Sequence, residues 1–234
     1  MFKNLKLGVK LAIGFGLIVA LMAVISVLAF TRVGVLNEKV NLMANDRFPK
    51  TVLVNDTIND LDTIARRLRN AMLADKPDVV KAELDQIPDL RKQISENIDK
   101  LDKSITSDKG RDLLKTVSST RAAYVASQDV VIKAINENRR ADAVTAIFGD
   151  LRKTQGEYMG ALKALNEFQT KIMEADGDEA EALAQQTRTL VLVTFLVALV
   201  LAALAAWIVT RSITKPIGDA LDVATRIAEG DLTA

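Results

Sequence analysis

Arg121, Tyr124 and Gln128 stand where apolar residues belong. Leu114, Val117, Arg121, Tyr124, Gln128, Val131 and Ile135 follow one another in steps of three and four, the spacing of one buried helix face. A guanidinium on such a face has to be satisfied, because a buried charge without a partner is costly. A bound anion is one partner: the planar fork matches a carboxylate, and Tyr124 lies one turn away. Two other arrangements compete with it. The face can be turned to Leu113, Val117, Thr120, Tyr124, Ser127 and Val131, which leaves Arg121 in solvent. Alternatively, an Asp or Glu of a neighbouring helix pairs with it.

Other chemistry is excluded by what the chain lacks. It has no His and no Cys, so imidazole catalysis, thiolate chemistry, disulfides and the usual soft metal sites are absent. Lys and Arg number 31 against 30 Asp and Glu, a balance unlike that of a nucleic-acid binder. No nucleophile–base pair or phosphate loop is present. The expectation is a protein that is not an enzyme, holds no metal or cofactor and binds no nucleic acid.

The elements that must position these residues begin with two apolar runs. Leu11 to Thr31 carries no charge and is bounded by Lys10 and Arg32; Thr189 to Thr210 is bounded by Arg188 and Arg211. At ~1.5 Å per residue each reaches roughly 30 Å, the thickness of a bilayer core. A cleaved signal peptide would account for the first run, with Val27-Leu28-Ala29 as its end, but such apolar cores span only about 7–15 residues. Both runs are therefore expected to be transmembrane helices. Lys3, Lys6 and Lys10 before the first, and Arg211 and Lys215 after the second, put both termini in the cytoplasm. The intervening segment, residues 32–188, is then exported and long enough to form its own domain. Trp207 sits where an interfacial aromatic belongs.

Within that segment four apolar stripes keep helical spacing. They are Val54, Ile58, Leu61, Ala65, Leu68 and Met72; Val80, Leu84, Ile87, Ile94, Ile98, Leu101 and Ile105, with a missing step at Arg91; the Leu114–Ile135 stripe; and Val144, Phe148, Leu151, Tyr158, Leu162, Leu165 and Ile172. Asp75-Lys76-Pro77, Ser104–Lys109 and Asn136–Arg139 are the short connections. Short turns make sequential helices antiparallel neighbours, so the fold expected is all-α: an up-down-up-down four-helix bundle between two transmembrane helices. Pro49 and Pro88 should kink helices or begin them. The outer helices have no clear break from the spans and are expected to continue into them.

Measured from the bundle tips by rise per residue, Arg66 and Arg69 lie level with Gln128 and Phe148. Arg121 and Tyr124 lie level with Arg91, Thr154 and Gln155. The candidate ligand-binding residues are Arg66, Arg69, Arg121, Tyr124, Gln128 and Thr154, divided between two sites. For Arg66 the ordinary alternative is a surface pair with Asp62, one turn before it.

After the second span come Arg211-Ser-Ile-Thr-Lys-Pro216-Ile217, then Leu221, Ala224 and Ile227, then Glu229-Gly230-Asp231-Leu232. This resembles the first helix of a HAMP signal-relay domain, with Pro216 in a first turn and Gly230 as the stop. The opening Asn4-Leu-Lys-Leu-Gly-Val-Lys-Leu-Ala-Ile-Gly-Phe15, with Arg47-Phe-Pro49 ahead of the first bundle helix, is similar to bacterial methyl-accepting chemotaxis receptors. The resemblance implies a 1–10 cytoplasmic tail, spans at 11–31 and 189–210, a periplasmic sensor at 32–188 and a partial HAMP domain at 211–234. It departs from the family at its end. The second HAMP helix and the methylated hairpin are missing, so the chain is expected to be a truncation or a fragment of a larger receptor.

The resemblance further implies a homodimer in the inner membrane that senses a small carboxylate or similar anion. It would signal to the chemotaxis kinase and coupling protein through the missing region. In aspartate-type receptors of this family, arginines on the first bundle helix hold the ligand across the dimer interface; Arg66 and Arg69 are similar, though not identical in spacing. The input half of a sensor histidine kinase or diguanylate cyclase shares the layout. A structural membrane assembly module is the third reading.

Overall fold

Among the described residues, alternating three- and four-residue apolar steps give seven α-helices and no strand. The structure, a computed structural model, describes residues 7–228. Lys3, Lys6, the first residues of the opening motif and the Glu229–Leu232 motif lie outside the described residues. The chain divides into two compact units, Lys39–Glu179 and the described parts of Met1–Glu38 with Ala180–Ala234.

In the first unit, α2 (Phe48–Leu73) is the first bundle helix and α4 (Ile87–Ser104) the second, preceded by the short α3 (Pro77–Leu84). The third is α5 (Asp108–Asn136), and the fourth runs from α6 (Arg140–Ala146) into α7 (Arg152–Ala228). Each proline in this unit opens a helix: Pro49, Pro77 and Pro88 occupy the first turns of α2, α3 and α4, where a missing N–H leaves no bond unmade. Pro88 accounts for the break of the second helix at Asp85-Gln86.

On α5 the buried residues Gly110, Leu114, Val117, Tyr124, Gln128, Val131 and Ile135 keep a period near 3.5, as expected of shallow-angle bundle packing. Val54, Leu61, Ile64 and Leu68 face them from α2, Ile94, Ile98 and Leu101 from α4, and Tyr158, Leu162 and Leu165 from α7. The rotated face with Leu113, Thr120 and Ser127 at its centre is not the one buried; these three are only half-buried.

Helix ends are satisfied locally. Ser107 caps α5 by accepting the Gly110 N–H at 3.3 Å. At the other end Arg139 N–H donates to Ala134 O (2.8 Å) and Asn138 N–H to Ile135 O (3.0 Å), while Asn138 takes a left-handed φ of 56°. This is the six-to-one, five-to-two pattern of a Schellman motif, with Asn in the place that glycine usually fills. The α2–α3 and α5–α6 connections meet at one end, where Arg140 Nη1 reaches Asp75 Oδ1 at 3.2 Å.

Gly110 is required by close approach. A Cβ there would stand 2.6 Å from Ile105 Cγ2 and 2.8 Å from the capping Ser107 Oγ. Gly110→Ala should therefore cost about 1.5 kcal/mol, combining overpacking with a disturbed cap. A shift of the urea midpoint at unchanged slope checks this, and an unshifted midpoint refutes it.

The fourth stripe needs correction. Val144 and Phe148 are exposed, Phe148 by 66 %, while Ala143, Ile147 and Leu151 are buried. At Ile147–Leu151 two helices meet across a kink, a widened turn in which Gly149 leaves helical geometry (φ −93°, ψ −109°). The extra residue it accommodates turns the preceding helix by one position, so Ile147 replaces Phe148 on the core side. A second such turn, Met43–Arg47, precedes α2; there Arg47 Nε meets Asp176 Oδ2 at 2.9 Å, and Asp46 accepts both bonds of the buried Lys50.

The other unit contains most of α1 (Leu7–Leu42) and the end of α7. Both helices are long and apolar enough to cross a membrane. The hydroxyls of Ser26, Thr31 and Thr194 bond backward to Met22 O, Val27 O and Leu190 O, so these three need no partner in hydrocarbon. Arg211 lies over the Trp207 ring at 5.4 Å. Pro216 is not in the first turn of a new helix; it lies inside α7. The missing N–H leaves the carbonyl of Ser212, four residues earlier and half-exposed, without its helical donor, and residues 214–226 that follow are exposed.

Candidate functional site

One polar layer crosses the core of the Lys39–Glu179 unit. Arg121 from α5 points Nη2 at Ser95 Oγ (2.5 Å) and at the Arg91 carbonyl (3.2 Å) of α4. Among the described residues no carboxylate pairs with it, and its Nε and Nη1 make no protein bond. Arg91 donates through Nε to Gln128 Oε1 at 2.8 Å; its Nη2 lies 2.8 Å from Asp129 Oδ1, close but out of hydrogen-bond alignment. The Thr154 hydroxyl of α7 has one proton for two acceptors, Ser127 Oγ at 3.1 Å and the Asp150 carbonyl of its own helix at 2.9 Å. Arg91 occupies the missing step of the second stripe, and its heptad position carries the guanidinium inward.

At the centre stand two phenols. Tyr124 and Tyr158 are each 1 % exposed, with ring centroids 6.0 Å apart at 37°. Neither hydroxyl makes a hydrogen bond of acceptable geometry, although the Gln128 side chain lies close enough to that of Tyr124 to act on it. A buried hydroxyl without a partner costs roughly 1–3 kcal/mol, and groups of this kind occur where water or a ligand completes them. Burial pushes Tyr124 up to about 12; Gln128 beside it, Arg69 and Arg91 pull the other way, and Asp62 adds to the rise. Burial likewise pushes Tyr158 up, against the opposing charge of Arg121.

These are the chain's two tyrosines, so tyrosinate absorbance reports on this layer alone. Both folded values are raised, so the neutral phenols contribute stability below pH about 10 that is lost as pH rises towards 12. The folded protein should therefore show little tyrosinate at pH 10–11, where the urea-unfolded chain is already ionised. Coincident titration curves would disprove the buried pair.

The structure thus brings Arg121, Tyr124, Gln128 and Thr154 into one layer. It adds Arg91, which the sequence placed at the level of Arg121 without a role, Ser127, which it placed on the rotated face, Tyr158, which it placed in the core, and Ser95, which it did not single out. Arg66 and Arg69 are placed elsewhere, exposed on α2. Arg66 donates to Thr63 (3.2 Å) and Arg69 to the Ala65 carbonyl (3.1 Å), both within their own helix. Asp62 forms no ion pair with Arg66; the ion pair in that stretch is Arg67–Glu83 at 2.8 Å. Arg69 still acts on Tyr124 through its charge. The two levels expected from rise per residue are not separate on α5, since Arg91 joins Gln128 to Arg121.

Chemically the layer is rich in donors and poor in acceptors. Two phenols and two guanidiniums face one carboxylate, Asp129 near the edge, besides the neutral acceptors Gln128 Oε1, Ser95 Oγ and the Arg91 carbonyl, so a compact anionic acceptor suits it best. Among the described residues no three His, Cys, Asp or Glu gather to hold a metal.

A family model, "four helix bundle sensory module for signal transduction", matches residues 4–184. The methyl-accepting chemotaxis protein McpQ of Pseudomonas putida is 35 % identical over 119 residues, 48 % of this chain and 18 % of that protein. The chain thus spans under a fifth of the length of that relative. No solved structure matches it. With the bundle, its connections and its polar layer in place, the match over most of the chain identifies the family: this protein belongs to the four-helix-bundle sensory modules for signal transduction.

Proposed function

We propose that the protein is the input module of a transmembrane chemotaxis receptor and senses a small anionic solute outside the inner membrane. The observation that carries the ligand reading is Arg121, a half-buried guanidinium with no carboxylate partner, beside two unpartnered phenols. The membrane reading rests on the two apolar helices and their basic flanks. In this reading residues 1–10 and 211–234 are cytoplasmic, 11–31 and 189–210 span the membrane, and 32–188 is the periplasmic sensor. The receptor works as a homodimer and passes its signal through HAMP to the chemotaxis kinase and its coupling protein. Signalling is a population shift: the solute favours one helix arrangement by its difference in affinity for the two.

Calorimetry on residues 39–179 with a panel of mono- and dicarboxylates, phosphate and sulfate, against neutral and cationic solutes, tests the ligand class. Heat confined to anions is expected; heat only from neutral or cationic solutes would overturn it. For topology, a cysteine at Asp75 should react with an impermeant thiol reagent in spheroplasts. Labelling at Lys6 and protection at Asp75 would reverse the orientation.

A further inference from the structure

The membrane unit contains a groove that the sensing chemistry leaves unused. It has a volume of about 310 Å³ and lies between the two apolar helices, with Lys10 and Ser212 at one end and Leu17 and Leu201 at the other. Leu204 and Ile208 form its wall and are each about half exposed. Gly14 lies on its floor, where a Cβ would meet Val209 Cγ2 in ordinary contact at 3.8 Å.

Its length fits one leaflet. Ser212 to Leu201 rises about 16 Å at 1.5 Å per residue, half of a bilayer core of roughly 30 Å. A helix from a second copy would instead engage the whole span. Its charge fits one kind of lipid. Lys10 has no ion-pair partner among the described residues, and it is the one charged residue lining a groove that is otherwise almost wholly apolar. The groove on the opposite side of the helix pair, lined by Phe15, Ile18, Ala202 and Ala206, has no charged residue and so no such preference.

We propose that the Lys10 groove binds an anionic phospholipid, one acyl chain lying along Leu204 and Ile208 and the headgroup phosphate pairing with Lys10. The proposal rests on the membrane-spanning reading above. Basic residues beside apolar clefts at a membrane surface favour anionic headgroups in this way.

The full chain is reconstituted into vesicles of phosphatidylglycerol and phosphatidylcholine in equal parts, extracted gently and examined by native mass spectrometry. Phosphatidylglycerol should be retained over phosphatidylcholine, and Lys10→Gln should reduce that preference about fivefold. Arg32→Gln, at the other flank and outside the groove, should not. Equal retention of both lipids, or equal losses in the two variants, overturns the proposal. So does a Leu204→Cys dimer that forms equally in vesicles of either lipid alone, which would assign the groove to a second copy. Release of the chain by alkaline extraction overturns the membrane reading itself; retention without lipid preference overturns only the groove.

Discussion

Replacing both Tyr124 and Tyr158 by phenylalanine should stabilise the unliganded sensor unit, by roughly 2–6 kcal/mol. Each hydroxyl is buried without a well-formed hydrogen bond, and each such group carries a penalty of about 1–3 kcal/mol that the aromatic ring does not share. The rings and their 6.0 Å packing are retained, so the cavity left is one atom in size and offsets little. Urea denaturation of wild type and variant measures the difference. A loss of stability would mean that ordered water satisfies both phenols in solution. The same variant should lose response to the sensed solute, which ties the stability gain to a functional sacrifice.

Arg121→Ala should weaken binding of whichever anion the panel selects by about 30-fold, or roughly 2 kcal/mol. The loss is that of a charged hydrogen-bond pair inside a layer with no second free guanidinium to replace it. Arg121→Lys should recover only part of the affinity, because a point charge cannot reproduce the planar fork. Arg69→Ala should change affinity far less, since Arg69 is exposed and reaches Tyr124 only through space. Folding should survive in both, as Arg121 is held by one hydroxyl and one carbonyl rather than by a buried ion pair. Unchanged affinity in Arg121→Ala with weakened binding in Arg69→Ala would move the site to the outer face of α2.

The bundle was legible because heptad spacing and proline placement act locally. Val117, Tyr124 and Val131 repeat every seven residues, and Pro49, Pro77 and Pro88 each sit where a helix has no N–H to lose. Arg121 could be singled out on the same ground, as a charge in an apolar row. Its partners could not. Ser95 and Arg91 come from α4, and no spacing within one helix fixes how far a neighbour is rotated about its own axis. Tyr158 was hidden for another reason: an aromatic residue on a buried face looks like ordinary core until its hydroxyl is found without a partner. Phe148 misled because it is as apolar as Ile147 and keeps the three- and four-residue spacing with Val144 and Leu151, and only the wide turn at Ile147–Leu151 turns Ile147 inward in its place.

That turn also bears on how such a chain can vary in length. Ala143, Ile147 and Leu151 are spaced four and four, one residue more than two turns of a heptad allow, and the surplus is absorbed within five residues around Gly149. A single-codon deletion at Gly149 would close the bulge into plain α-helix while Ala143 and Ile147 kept their inward places relative to Leu151. Insertions and deletions in bundle helices are ordinarily ruinous, because they turn every residue beyond them. Here the helix carries its own tolerance for one, on the side of the bundle nearest the α5–α6 connection.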